Sequence, residues 1–141
     1  MAYDNNNIFA KILRGEAPCF KVYEDERNIA FMDVMPQSEG HTLVIPKMAA
    51  ENIFDLPPDD AASLIQATQK VAAAVKRAIK APGLMIAQLN GAEAGQTVFH
   101  IHMHVIPRWS GADLKLHARE LADFEVLKKQ AELIKAELER H

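Results

Sequence analysis

The chain holds one cysteine, Cys19, among its 141 residues. An intrachain disulfide and a Cys-x-x-Cys metal knuckle are both excluded, which points to a reducing compartment, the cytoplasm. Positive charge is not in excess either: the formal net charge is −3 and no Lys/Arg cluster stands out. That argues against a general nucleic-acid or anionic-membrane binder. No apolar run approaches the ~20 residues that span a bilayer. The opening Met-Ala-Tyr-Asp-Asn-Asn-Asn has neither a charged nor an apolar region of the kind a signal peptide needs. Internal repeats and low-complexity linkers are missing too. With 49% hydrophobic and 25% charged residues, the chain fits one soluble domain with a single core.

Turn residues divide this domain into elements. The Asn5-Asn6-Asn7 run is placed to cap a short helix with an apolar face of Ile8, Phe9, Ile12 and Leu13, closed by Gly15. Residues 20–24 and 28–33 read as a hairpin around Asp25-Glu26-Arg27, and 41–45 as a strand ended by Pro46. Pro57-Pro58-Asp59-Asp60 opens the longest helix, whose stripe includes Leu64, Ile65, Val71 and Val75, and Pro82-Gly83 is expected to stop it. Residues 84–89 read as a buried strand, 90–96 as a glycine-containing loop and 98–106 as a further strand. From about Leu116 to Arg140, Leu121, Phe124, Leu127, Ala131, Ile134 and Leu138 recur as an amphipathic helix, packed on the body or on a second subunit. The order favours α+β with a mainly antiparallel five-stranded sheet, one short and one long helix and a C-terminal helix. Residues 1–115 form the expected domain and 116–141 the C-terminal helix.

Alternation in His100-Ile101-His102-Met103-His104 places three imidazoles on one face of a strand and Ile101, Met103 and Val105 on the other. Packing alone explains such a row poorly, because neutral imidazoles fill cores badly and protonated ones repel. A metal site is the rival. However, at ~3.3 Å rise per residue the outer pair of Cα atoms lie ~13 Å apart, too far to converge easily on bonds of ~2.0–2.1 Å. A two-histidine site would need Asp33, His41 or Glu93 as further ligands. Nucleophilic catalysis fits better: neutral imidazole attacks phosphorus near pH 7, and the outer histidines orient the ring or meet substrate oxygens. The preceding loop supplies glycine-permitted N–H groups, the Asn90 and Gln96 amides and the Thr97 hydroxyl for phosphate oxygens.

Gly95-Gln96-Thr97-Val98-Phe99-His100-Ile101-His102-Met103-His104-Val105-Ile106-Pro107 resembles the His-φ-His-φ-His-φ-φ signature of the histidine-triad (HIT) family, φ being apolar. The likeness runs over roughly residues 6–110 and looks closest to the Hint-like purine nucleoside phosphoramidases. It implies that His102 attacks an α-phosphorus to give a nucleotidyl-histidine, that His104 contacts phosphate oxygens, and that His100 and His41 form a supporting hydrogen-bonded pair. It also implies that Asp33 holds the ribose hydroxyls. Ile8, Phe9, Ile12, Phe31, Val34 and Leu43 would sandwich the base, and Asn90, Gln96, Thr97 and Val98 would line the phosphate. The expected substrate is a purine nucleotide derivative of the AMP or GMP type, and the expected assembly a homodimer joined sheet to sheet. No cofactor is implied. Some relatives carry structural zinc ligands near the first helix and after the Pro-Lys block; this chain has Asn6-Asn7-Ile8-Phe9-Ala10 and Pro46-Lys47-Met48-Ala49 there, so no metal is expected. Alternatives are hydrolysis of dinucleoside polyphosphates or acyl-adenylates, a nucleotide-binding interaction module with little turnover, and a metallohydrolase.

Overall fold

The structure is a computed structural model that describes residues 3–112 and 121–140. In chain order it has α1 (Ile8–Leu13), β1 (Lys21–Glu24), β2 (Asn28–Met32), β3 (Thr42–Pro46), α2 (Pro58–Ile79), β4 (Gly83–Ala87), a 3-10 turn (Ala92–Ala94), β5 (Met103–Arg108) and α3 (Phe124–Arg140). The strands form one sheet in the order β1-β2-β3-β5-β4 with every neighbouring pair antiparallel. With three helices, the fold is α+β.

Local chemistry sets the helix ends. The Asn7 side chain accepts the Ala10 N–H at 2.9 Å and so caps α1. In α2, Pro58 starts the helix, Asp59 and Asp60 lie in its first turn, and Lys76 and Arg77 lie in its last, all matched to the helix dipole. It stops earlier than expected, at Lys80, a left-handed residue with φ 59°. Ala81 precedes Pro82 and is thereby pushed out of the helical region, so the turn must come before it.

Register then sorts side chains between two faces. Ala30, Met32, Val44, Ile101 and Val105 join Leu64, Val71, Val75, Leu127, Ala131 and Ile134 in the core under α2 and α3. Ile29, Phe31, Leu43 and Ile45 pack with Phe9 of α1 on the other face. Since Phe31 pairs with Leu43 and Leu43 with His104, these three form one transverse row facing α1.

Several boundaries depart from expectation. The strand expected at 98–106 starts only at Met103, so His100, in a bend, and His102 stand ahead of β5. Pro46, two residues past Val44 at the end of β3, has no N–H to offer; its carbonyl is taken by the His100 ring, and the Ile101 N–H turns to Ala50 O. The strand expected buried at 84–89 is an edge strand, with Met85 37% and Ile86 42% exposed. Ile65, Leu121 and Phe124 are exposed rather than in the core; Phe124 instead meets Phe20 edge to face at 5.4 Å. The α3 helix begins at Phe124 and packs on α2 and β1. The expected start near Leu116 and the division between 115 and 116 lie outside the described residues.

Candidate active site

On the α1 face, His102 meets the Phe9 ring edge to face at 5.0 Å, and the His104 ring lies 4.8 Å from that of His102. His41, His100, His102 and His104 are all buried. Each is held below the ordinary histidine pKa, first by burial; His41 drops to about 3 and His104 to about 4, where neighbouring histidines add to the effect. All four rings are therefore neutral at pH 7, with one N–H and one lone pair each.

Backbone groups decide which nitrogen is which. The Gln37 N–H donates to Nδ1 of His41 at 3.0 Å, so the His41 proton sits on Nε2. That Nε2–H is 3.0 Å from Nδ1 of His104, which must accept, and His104 thus carries its proton on Nε2. Nδ1 of His102 lies 2.7 Å from the His100 carbonyl; a carbonyl only accepts, so the His102 proton is on Nδ1 and its Nε2 holds a lone pair. By the same reasoning, Nε2–H of His100 donates to Pro46 O at 2.8 Å, and its Nδ1 accepts from the Tyr3 hydroxyl. Two ring nitrogens have no protein partner among the described residues: a bare Nε2 on His102 and a protonated Nε2 on His104. The first offers a lone pair and the second an N–H, the chemistry of a nucleophile and of a hydrogen-bond donor.

This geometry corrects the expected pairing. His41 bonds His104, not His100. His41 stands two residues before Leu43, the partner of His104 in the ladder, whereas His100 lies beyond the end of the β3–β5 pairing. Gln37, Pro46 and Tyr3 complete the set. The first two act through main-chain atoms that carry no side-chain signature, and only the pairing of His41 and His100 with partners of fixed polarity reveals them.

Asp33 lies beside this cluster, its Oδ2 3.5 Å from Nε2 of His41. With His41 neutral, this is not an ion pair. Burial raises the Asp33 carboxyl to about 6, against the Met35 N–H that its other oxygen accepts at 2.8 Å. Asp33, His41 and His104 bring one potential metal ligand atom each within 4.8 Å of one another. The donor set does not suit a cation: Nε2 of His41 carries a proton as long as Gln37 occupies Nδ1, and ligation would demand an imidazolate.

The loop before the triad is tied up differently from expectation. Gly91 and Gly95 take φ 96° and 104°, and the Gly91, Ala94, Gly95 and Gln96 N–H groups all bond within the loop. Gln96 is a fastener rather than a phosphate donor: its carbonyl oxygen accepts Gly91 N–H, and its amide donates to Glu51 O and Val98 O. Asn90 interlocks with Gln88 and accepts the Ile53 N–H. The exposed Thr97 hydroxyl and the Thr97 and Val98 amides have no partner among the described residues. Thr97, Val98, Asn7 and Ile8 line a cavity of about 400 Å³. Of the base-slot residues, Phe9, Phe31 and Leu43 cluster with Ile12 against them. Val34 does not join them: it has the parity of Ala30 and Met32, and like them it packs on the α2–α3 core. Ile8 is exposed at the rim. A larger cavity, about 570 Å³, lies at the far end of α1 among Leu13, Cys19, Lys21 and Lys47. It holds no histidine, so volume alone would misplace the site.

Comparison with known proteins agrees with this geometry. The model of the HIT domain matches residues 14–111. A Hit-like protein from Bartonella henselae, described as involved in cell-cycle regulation, superposes with a TM-score of 0.92 at 47% identity over 97% of this chain and 99% of that one. A zinc-bound histidine triad family protein from Mycobacterium smegmatis gives 0.83 at 38% identity, over 96% and 94% of the two chains. An Arabidopsis thaliana protein named adenylylsulfatase HINT3 is 36% identical over 123 residues, 83% of this chain and 62% of the relative.

Proposed function

The chain belongs to the HIT family, and from that premise we propose that it is a hydrolase cleaving purine nucleoside phosphoramidates, AMP-amine compounds foremost, through a nucleotidyl-histidine on His102. The observation that carries this reading is the Nδ1–H of His102 pinned to the His100 carbonyl at 2.7 Å, which leaves Nε2 as a lone pair at neutral pH. As Nε2 bonds the α-phosphorus, the P–N bond breaks and the departing amine takes up a proton from solvent, which the attacking water of the second step returns. The ring becomes cationic, and the His100 carbonyl dipole then binds it more strongly than in the resting state, a stabilisation that grows along the reaction. Water attacks the same phosphorus, releases the nucleoside monophosphate and restores the neutral ring.

The remaining residues bind and orient. Nε2–H of His104, the Thr97 hydroxyl and the Thr97 and Val98 amides meet phosphate oxygens. Asp33 accepts from the ribose hydroxyls, and Phe9, Ile12, Phe31 and Leu43 clasp the base, with Ile8 at the rim. Asn90 and Gln96 act by fastening the loop. The purine slot is apolar and supplies little to tell adenine from guanine. The same reading makes the chain a cytoplasmic homodimer. Of the two sheet edges, β1 carries the Lys21–Glu24 ion pair and lies against α3, whereas β4 (Gly83–Ala87) has no charged residue and exposes Met85 and Ile86. A second copy would pair there; Met85→Lys should halve the mass seen by light scattering.

A second reading is favoured by the relative named adenylylsulfatase: adenylyl sulfate offers the same α-phosphorus with an anionic leaving group that needs no proton. Rates on an adenosine phosphoramidate, adenylyl sulfate and a diadenosine polyphosphate separate these substrates. The covalent step is tested by rapid quench with labelled phosphoramidate into alkali. Label recovered on His102 is the expected result; turnover with no label on any histidine overturns the proposal.

A further inference from the structure

The segment ahead of α1 crosses the triad and is built to stay there. Asn7 donates from its side chain to Asp4 O at 2.8 Å, Asn6 N–H bonds the Asp4 carboxylate at 2.8 Å, and Arg14 reaches back from beyond α1 to Asn5 O at 2.7 Å. This strap carries Tyr3 onto His100, the two rings edge to face at 5.7 Å and the hydroxyl on Nδ1. No other group among the described residues bonds that nitrogen.

We propose that Tyr3 is a positioning residue for the nucleophile, acting on His102 through the ring and carbonyl of His100. With the Tyr3 hydroxyl donating to Nδ1, His100 keeps its proton on Nε2, where it bonds Pro46 O. Without that donor, Pro46 O alone opposes the other tautomer. An Nε2 lone pair would then face the Pro46 carbonyl oxygen, two acceptors in contact. The ring must shift, and with it the peptide whose carbonyl holds Nδ1–H of His102. The tyrosine thus steadies, two hydrogen bonds away, the carbonyl that keeps the His102 proton on Nδ1. This rests on His102 being the nucleophile.

Tyr3→Phe in the full chain keeps the ring and removes the hydroxyl. Single-turnover labelling of His102 by an adenosine phosphoramidate should slow about tenfold, the factor to which the net worth of one neutral hydrogen bond corresponds. KM should stay unchanged, and the thermal midpoint should fall by no more than the few degrees that one lost hydrogen bond accounts for. The His100 Nε2–H resonance, slow to exchange in the parent protein, should be lost or broadened. A labelling rate equal to that of the parent overturns the proposal, and so does a slowed rate accompanied by matching changes in KM and thermal midpoint, which would mark a merely structural role. A parent protein that never becomes labelled refutes the nucleophile instead. The His100 resonance then decides alone: its loss in Tyr3→Phe supports the positioning role, and its persistence overturns it.

Discussion

The two faces of the sheet are held by different forces. Under α2 and α3, Val44, Val71, Ile101, Val105, Leu127 and Ile134 are held by close packing of apolar groups, each large side chain stabilising by about 1.5–3 kcal/mol on burial. Under α1, the apolar cluster has only five buried members, and the buried histidines beside it are held by hydrogen bonds to Gln37 N–H, Pro46 O and His100 O. Packing fixes where a side chain lies. A backbone partner of fixed polarity also fixes where its proton lies, and a nucleophile needs both.

The contrast can be broken from either side. His102→Ala should cost the most, lowering turnover at least about 10³-fold by removing the nucleophile, with nucleotide affinity and thermal midpoint retained; steady-state rates and calorimetry check both halves. Ile134→Ala, on the opposite face, should lower unfolding free energy by about 2–5 kcal/mol while kcat below the melting range stays the same; a large fall in kcat would deny the division between the faces. His41→Leu removes the donor that sets the His104 tautomer. It should reduce kcat between about tenfold and hundredfold, the range typical of partners that orient a working imidazole, and a larger effect on KM than on kcat would count against this.

A further effect is read from pH. The four histidines have folded pKa values depressed below 6.5, so the unfolded chain binds more protons as pH falls from there. Stability is full above 6.5 and declines toward about 3, the folded value of His41, by up to about 1.4 kcal/mol per pH unit for each depressed ring. Asp33 has the opposite sign: raised from 3.8 to about 6, it loses stabilisation as pH climbs through that window. Four groups against one predict a net loss on acidification from 6.5 to 4.5, measurable by denaturant titration at each pH. For the same reason the acid limb of kcat should fall below 6.5, the ordinary histidine value.

The sequence disclosed what repeats at short range. Alternation through His100-Ile101-His102-Met103-His104 separated the imidazoles from the core residues Ile101 and Met103, even though only the last two positions are strand. Asn7 as a cap and Pro58 at a helix start were equally local. What escaped depends on register and on main-chain partners: that His41 reaches His104, since Leu43 is the residue opposite it, and that Gln96 is consumed in fastening its own loop. Val34 was legible, since it shares the parity of Ala30 and Met32 and so falls on the α2 side, away from Phe31. The polarity of Gln37 N–H and Pro46 O is common to every residue of its kind, so no reading of side chains identifies them.

The central claim, that the backbone leaves Nε2 of His102 bare, is tested most directly by nitrogen NMR of the imidazoles at neutral pH, assigned by His102→Ala. The account predicts a protonated, pyrrole-type Nδ1 and an unprotonated, pyridine-type Nε2 for His102. A proton on Nε2, or an even mixture of the two tautomers, would contradict it.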